Sequence, residues 1–123
     1  MARPGVDRLI EMLEPYLRRL RYSKETIRHY SSSLRNIVEY LTALLGRRPK
    51  LTDLTFKRMQ AWLDELCDKG LAPSTIGVKR ASLVCFFDYL IWQERLTPDQ
   101  DYTKRLLVPP VPVRPKVFVT DEI

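Results

Sequence analysis

A chain of 123 residues has room for one domain of ordinary size and a tail, since domains cluster near about 100–150 residues, and this excludes a multidomain enzyme. Hydrophobic residues at 45% and charged residues at 29% sit close to globular averages, so a core can be buried and wholesale disorder is excluded. The formal net charge is +6, and all of the excess lies in residues 1–50, which hold 11 basic and 5 acidic residues, whereas 51–96 hold 6 of each and 97–123 hold 4 of each. A one-sided basic surface attracts polyanions through counterion release, which makes nucleic acid the first partner to consider; a solvated, solubilising face carries equal weight on charge alone.

Apolar spacing in chain order predicts helices and no period-2 strand before the tail. Val6, Leu9, Ile10, Leu13, Leu17 and Leu20 recur at three- and four-residue steps, and Pro15 within them predicts a kink or restart near Glu14. A second helix opens at Ser23, a good N-cap, carries Ile27, Tyr30, Leu34, Ile37, Val38, Leu41 and Leu45 on one stripe and stops near Gly46. Its other face presents Glu25, Arg28, His29, Ser32, Arg35, Asn36 and Glu39. The basic loop Gly46-Arg47-Arg48-Pro49-Lys50 cannot continue it.

Asp53-Leu54-Thr55 introduces a third helix with Phe56, Met59, Trp62, Leu63 and Leu66 inward and Gly70 past its end. Ala72-Pro73-Ser74 starts a fourth, to about Glu94. Ile76, Leu83, Val84, Phe87, Leu90 and Ile91 face one way and Cys85, Tyr89 and Trp92 the other, the pattern of a buried central helix with small or polar opening turns. After Leu96 five prolines fall in under 20 residues, predicting an extended connector with at most a short helix around Tyr102 to Leu107. The ending Thr120-Asp121-Glu122-Ile123 reads as the opening of a helix.

Little of this is equipped for catalysis. His29 is the one histidine, Cys67 and Cys85 the two cysteines, expected as buried reduced thiols, and no Cys/His cluster has metal-ligand spacing. Asp64, Glu65 and Asp68 read as a solvated face, and four glycines make no phosphate loop. We therefore expect no catalytic residue, cofactor or metal. No run of about 18–20 apolar residues and no signal-like N-terminus occur, so no membrane partner and a cytoplasmic location are expected.

Tyr22-Ser23-Lys24-Glu25-Thr26-Ile27-Arg28-His29-Tyr30 with Leu34 resembles the second-helix signature, roughly Ser-x-x-Thr-x-x-x-Tyr-x-x-x-Leu, of the N-terminal core-binding domain of tyrosine recombinases and phage integrases. Gly70-Leu71-Ala72-Pro73-Ser74-Thr75-Ile76, continuing to Leu83, Phe86, Phe87, Tyr89 and Leu90, is similar to the family's fourth helix. Leu54-Thr55 and Trp62-Leu63 fit the third, and Arg114-Pro115-Lys116-Val117 with Thr120-x-Glu122 the junction into a catalytic domain. The resemblance implies an all-α, four-helix SAM-like orthogonal bundle in residues 1–96 that grips one side of double-stranded DNA. Residues 97–123 would be an extended Pro-rich linker toward a catalytic domain absent here, which holds the nucleophilic tyrosine. A tyrosine recombinase parent would be tetrameric on DNA, and the fragment monomeric.

Position by position, the resemblance implies a DNA-binding set of Thr26, Arg28, His29 and Ser32 on the second helix and Ser74, Thr75, Gly77, Val78 and Lys79 on the fourth. Arg47 and Arg48 would add phosphate contacts beside Lys50, and Arg114 and Lys116 would track the linker. Thr26 and Thr75 would bond phosphates, Arg28 and Lys79 supply charge, and His29 and Ser32 reach base edges. Plainer alternatives are that Ser23 or Ser74 only caps a helix, His29 is a solvated surface residue, the loop cations are solvated, and Gly77 makes a packing contact. Two departures from the family pattern stand out. Arg80 replaces an apolar residue, so its stem snorkels or its charge pairs with an acid. Val78 replaces a polar one, leaving a thymine methyl contact or none. The rival reading is a helical protein-interaction module, anchored by Trp62 and Trp92, that binds no DNA.

Overall fold

The computed structural model describes residues 5–110, which form four α-helices: α1 (Val6–Arg19), α2 (Lys24–Leu45), α3 (Phe56–Asp68) and α4 (Pro73–Trp92). Short 3-10 turns occupy Leu51–Asp53, Pro98–Gln100 and Thr103–Arg105, and no strand occurs among the described residues. Local chemistry sets the helix ends. Ser23 accepts the Thr26 N–H at 3.1 Å to start α2, and Thr55 accepts the Arg58 N–H at 3.2 Å to start α3. Gly46 (φ 71°) and Gly70 (φ 84°) turn the chain out of α2 and α3 through the left-handed region that a side chain would oppose.

Most of the expected stripe residues form the core, although Val84 and Ile91 of α4 are only half-buried. Leu9, Ile10, Leu13 and Leu17 of α1 close on Leu34, Ile37 and Leu41 of α2, Met59, Trp62 and Leu63 of α3, and Ile76, Leu83, Phe86, Phe87 and Leu90 of α4. α4 touches all three other helices, as its apolar circumference predicts, and its most extensive packing is on α2. Cys85 lies inside it as a free thiol, with burial first and Asp88 second raising its pKa to about 11, while Cys67 is half-buried and also free.

Four expectations change. α1 runs unbroken through Pro15, so of the kink or restart expected near Glu14 the restart does not occur: the ring sits on the exposed side, and buried Leu13 and Leu17 flank it. Leu20 is 49% exposed rather than inward, because Arg21 adopts φ 65° and the Tyr22 N–H closes on the Leu17 carbonyl at 3.1 Å, ending the stripe at Leu17. Trp92 is 57% exposed and lies against Tyr16, ring centroids 5.2 Å apart, beyond the buried part of α4. Finally, the segment after Leu96 holds the short helix expected around Tyr102 to Leu107, as the 3-10 turn Thr103–Arg105, but it is not merely an extended connector there, since Thr103 and Leu106 are buried against the bundle. Residues 111–123, with Arg114, Lys116 and the expected linker end, lie outside the described residues.

α4 also ends on a strained residue. Glu94 has φ 61° while the Arg95 N–H bonds the Leu90 carbonyl at 2.9 Å, a closure that favours glycine at position 94. Glu94→Gly should raise the unfolding free energy by about 0.5–1 kcal/mol, measured by urea unfolding; unchanged or lowered stability would mean that the left-handed turn carries no strain.

Candidate nucleic-acid interface

α2 and α4 run past each other in opposing senses. Tyr22, just before α2, and Tyr30 in its second turn line a groove with Ala81, Val84 and Cys85 of α4, while Asn36 further along α2 accepts a hydrogen bond from Lys79 Nζ at 3.0 Å near the start of α4. Buried Ser33 and Ser82, one on each helix, are small enough for the two backbones to approach closely. The opening turns of α4 thus meet the middle of α2 and not its first turn. Arg28 precedes Asn36 by eight residues, about 12 Å along α2 and about 80° around it, and both side chains are exposed.

Each expected residue has a definite position. On α2, Arg28, His29 and Ser32 are exposed. Arg28 is ion-paired with Glu25 at 3.2 Å, both side chains more than two-thirds exposed, a pairing weak enough for a phosphate to displace. Thr26 is half-buried, and Ser23 holds both its N–H and its hydroxyl, the latter at 2.9 Å, so it belongs to the helix cap. On α4, Ser74, Thr75 and Val78 are exposed. Ala72 is the N-cap residue, so Ser74 does not cap the helix. A Cβ built at Gly77 would meet nothing within 4 Å, which removes the packing explanation for this glycine.

Lys79 is half-buried, lies 5.9 Å from the centroid of the Trp62 ring, and has its pKa lowered by desolvation. It is held in place where Arg28 is loosely held. Trp62 is 2% exposed, so of the two tryptophans expected to anchor a protein interface only Trp92 reaches the surface.

The loop cations are differently engaged. Arg47 grips buried Asp53 with two bonds, at 2.7 and 3.1 Å, while the Lys50 N–H donates to the same carboxylate at 2.7 Å. The Arg47 hydrogen bond first, then the Lys50 amide, draws the Asp53 pKa down to about 2. Arg48 pairs with Asp7 of α1. Arg80 pairs with no acid among the described residues: its Nε donates to the Leu106 carbonyl at 2.9 Å and a terminal nitrogen to that of Lys104 at 3.4 Å, turning it away from a partner and onto its own chain. Asn36 and Arg35 were legible as exposed polar positions on α2, yet the pairing that brings Asn36 to Lys79 spans 43 residues and leaves no local pattern.

Comparison with family models gives a match over residues 10–94 to the phage integrase N-terminal SAM-like domain. The chain belongs to this family. The four helices, the Ser23-to-Leu34 signature and the Gly70-to-Leu90 signature all fall within or overlap the matched span, so the SAM-like bundle and the resemblance read from the residues stand together. Membership ties the domain to recombination. Searches of curated proteins and of solved structures give no match. No helix among the described residues is long and apolar enough to cross a membrane, and no metal-binding cluster of His, Cys, Asp or Glu occurs among them.

Proposed function

We propose that this SAM-like domain binds duplex DNA as one half of a clamp in a site-specific tyrosine recombinase, with the exposed side of α2 and the opening turns of α4 against the DNA. The observation that supports this reading is the Lys79–Asn36 bond, which ties the opening turns of α4 to the exposed side of α2, the helix that carries Arg28. Arg28 and Lys79 supply charge to phosphates, His29, Ser32 and Asn36 stand where base edges or sugars would come, and Ser74, Thr75 and Val78 form the edge at the start of α4. Arg48 adds a solvent-exposed cation at the loop. Arg47, bonded to Asp53, and Thr26, engaged by Ser23, serve the shape of the surface more than contact with DNA.

The division of the chain belongs to the same proposal: residues 1–96 bind DNA and 97–123, with Arg114 and Lys116 along the backbone of the DNA, lead toward a catalytic domain. Gln60 supports the idea of a directed exit, because its amide donates to the Leu107 carbonyl and accepts the Leu107 N–H, both at 2.9 Å. The chain by itself would act as a cytoplasmic monomer, with tetramers formed by the whole recombinase on DNA.

Fluorescence anisotropy with a labelled duplex across a salt series tests the surface. Arg28→Ala and Lys79→Ala should each weaken binding and reduce the slope of log K against log salt by about one unit, with the domain alone binding near the roughly 10⁻⁴ to 10⁻⁶ M expected of nonspecific complexes. Slopes identical to the parent for both variants would remove this surface from the DNA.

A further inference from the structure

A second concave surface lies at the other end of α4. It encloses about 1480 Å³ between the start of α1, the 50–58 segment, the end of α4 and the strap that follows it. Leu9, Leu54, Phe56, Phe87 and Leu96 give it an apolar lining. Around that lining stand Lys50, Lys57, Arg58, Arg95 and Arg105, with Glu94 the one acid among the lining residues. Arg58 lies 3.8 Å from Asp53, while Lys50, Lys57, Arg95 and Arg105 make no ion pair among the described residues. Arg105 rests its guanidinium 4.6 Å from the centre of the Phe56 ring, which leaves its donors free along the rim.

Such a volume exceeds the roughly 300–1000 Å³ of small-molecule sites. Duplex DNA presents a convex row of phosphates and has no use for a recessed apolar floor. An amphipathic helix matches on both counts, its apolar stripe against the floor and its acids against the unpaired cations. We infer that this groove is a docking site for an acidic amphipathic helix of a partner protein. The opening turns of α4, with Ser74, Thr75 and Lys79, share no residue with this groove, whose α4 contributions are Phe87 and the residues after the helix, so the docking site is distinct from the part of the DNA surface those turns form.

The probe is a fluorescein-labelled helical peptide with leucines along one face and glutamates on the other, titrated with the full chain. The expected result is saturable binding that a scrambled isomer of the same charge lacks, and that drops by at least about fivefold in the double variant Lys50→Glu/Lys57→Glu, as expected when rim charges facing a charged partner are reversed. Both side chains are exposed, and Lys57 lies in the first turn of α3, where glutamate suits the helix dipole, so the variant keeps its fold; a circular dichroism melt verifies this, and Lys57→Ala provides a second, milder variant. Equal binding of the scrambled peptide, or no loss in either variant, would overturn the inference. So would a loss of DNA salt slope in the double variant matching that of Lys79→Ala, which would assign these cations to DNA. Sedimentation showing that the chain pairs with itself through this groove would replace the partner by a second copy and overturn it as well.

Discussion

Asp53→Ala should lower the unfolding free energy of the domain by about 2–4 kcal/mol, because it removes a buried acceptor shared by a bidentate arginine and a backbone amide. Arg47 is left half-exposed and can be rehydrated, which keeps the loss below that of a fully buried ion pair; the Lys50 N–H loses its partner outright. A loss of this size should lower the melting temperature by roughly 10–20 °C in a domain of about 100 residues. Asp53→Asn keeps an acceptor for Lys50 and should cost less.

The charge itself has a pH signature. The folded pKa of about 2 lies below the ordinary 3.8, so the carboxylate contributes stability that is full above the unfolded pKa and fades as pH falls from about 4 toward 2. The parent should therefore lose about 2 kcal/mol more than Asp53→Asn over that window, since each tenfold gain in acidity on folding corresponds to about 1.36 kcal/mol. Urea unfolding of both chains at pH 5 and near pH 2 decides it, and parallel losses would mean that Asp53 is not the group holding the loop. Arg47→Ala should follow the same stability pattern while leaving the DNA salt slope unchanged, which separates the two roles that a basic loop can have.

Local signals were the legible part. Ser23, Thr55, Gly46 and Gly70 mark helix ends by hydrogen bonds and backbone angles that depend only on close neighbours, and the three- and four-residue spacing of Leu9, Leu34, Trp62 and Leu83 with their neighbours reports burial directly. Missed features share the opposite property. Arg80 solves its burial with the carbonyls of Leu106 and Lys104, and Gln60 pairs with Leu107, so polar side chains of α3 and α4 hold a proline-rich segment that its own composition describes as loose. Arg47 and Asp53 look like one more solvated cation and one more helix-start acid until the 3-10 turn brings them together. The continuity of α1 through Pro15 likewise depends on tertiary burial at Leu13 and Leu17, which outweighs a rule derived from isolated helices.

Gly77→Ala should make the domain more stable and a poorer DNA binder at once. Glycine inside α4 costs about 1 kcal/mol of helix propensity relative to alanine, and the open space around a Cβ at this position means that nothing in the folded chain would resist the added methyl. A residue that weakens its own helix, needs no room from its neighbours and lies among Ser74, Val78 and Ala81 is explained when something outside the chain approaches the backbone closely. In the proposed complex a sugar-phosphate strand would do so, and the methyl would hold it off, loosening the proposed contacts of Ser74 and Thr75 together. The expected outcome is a gain of about 1 kcal/mol in urea unfolding with binding weakened about tenfold or more, the equivalent of roughly 1.4 kcal/mol. Because a steric block removes no cation, the salt slope should change far less than in Lys79→Ala. Stability gained with binding intact would show that DNA does not come near this turn, and the start of α4 would lose its place in the interface.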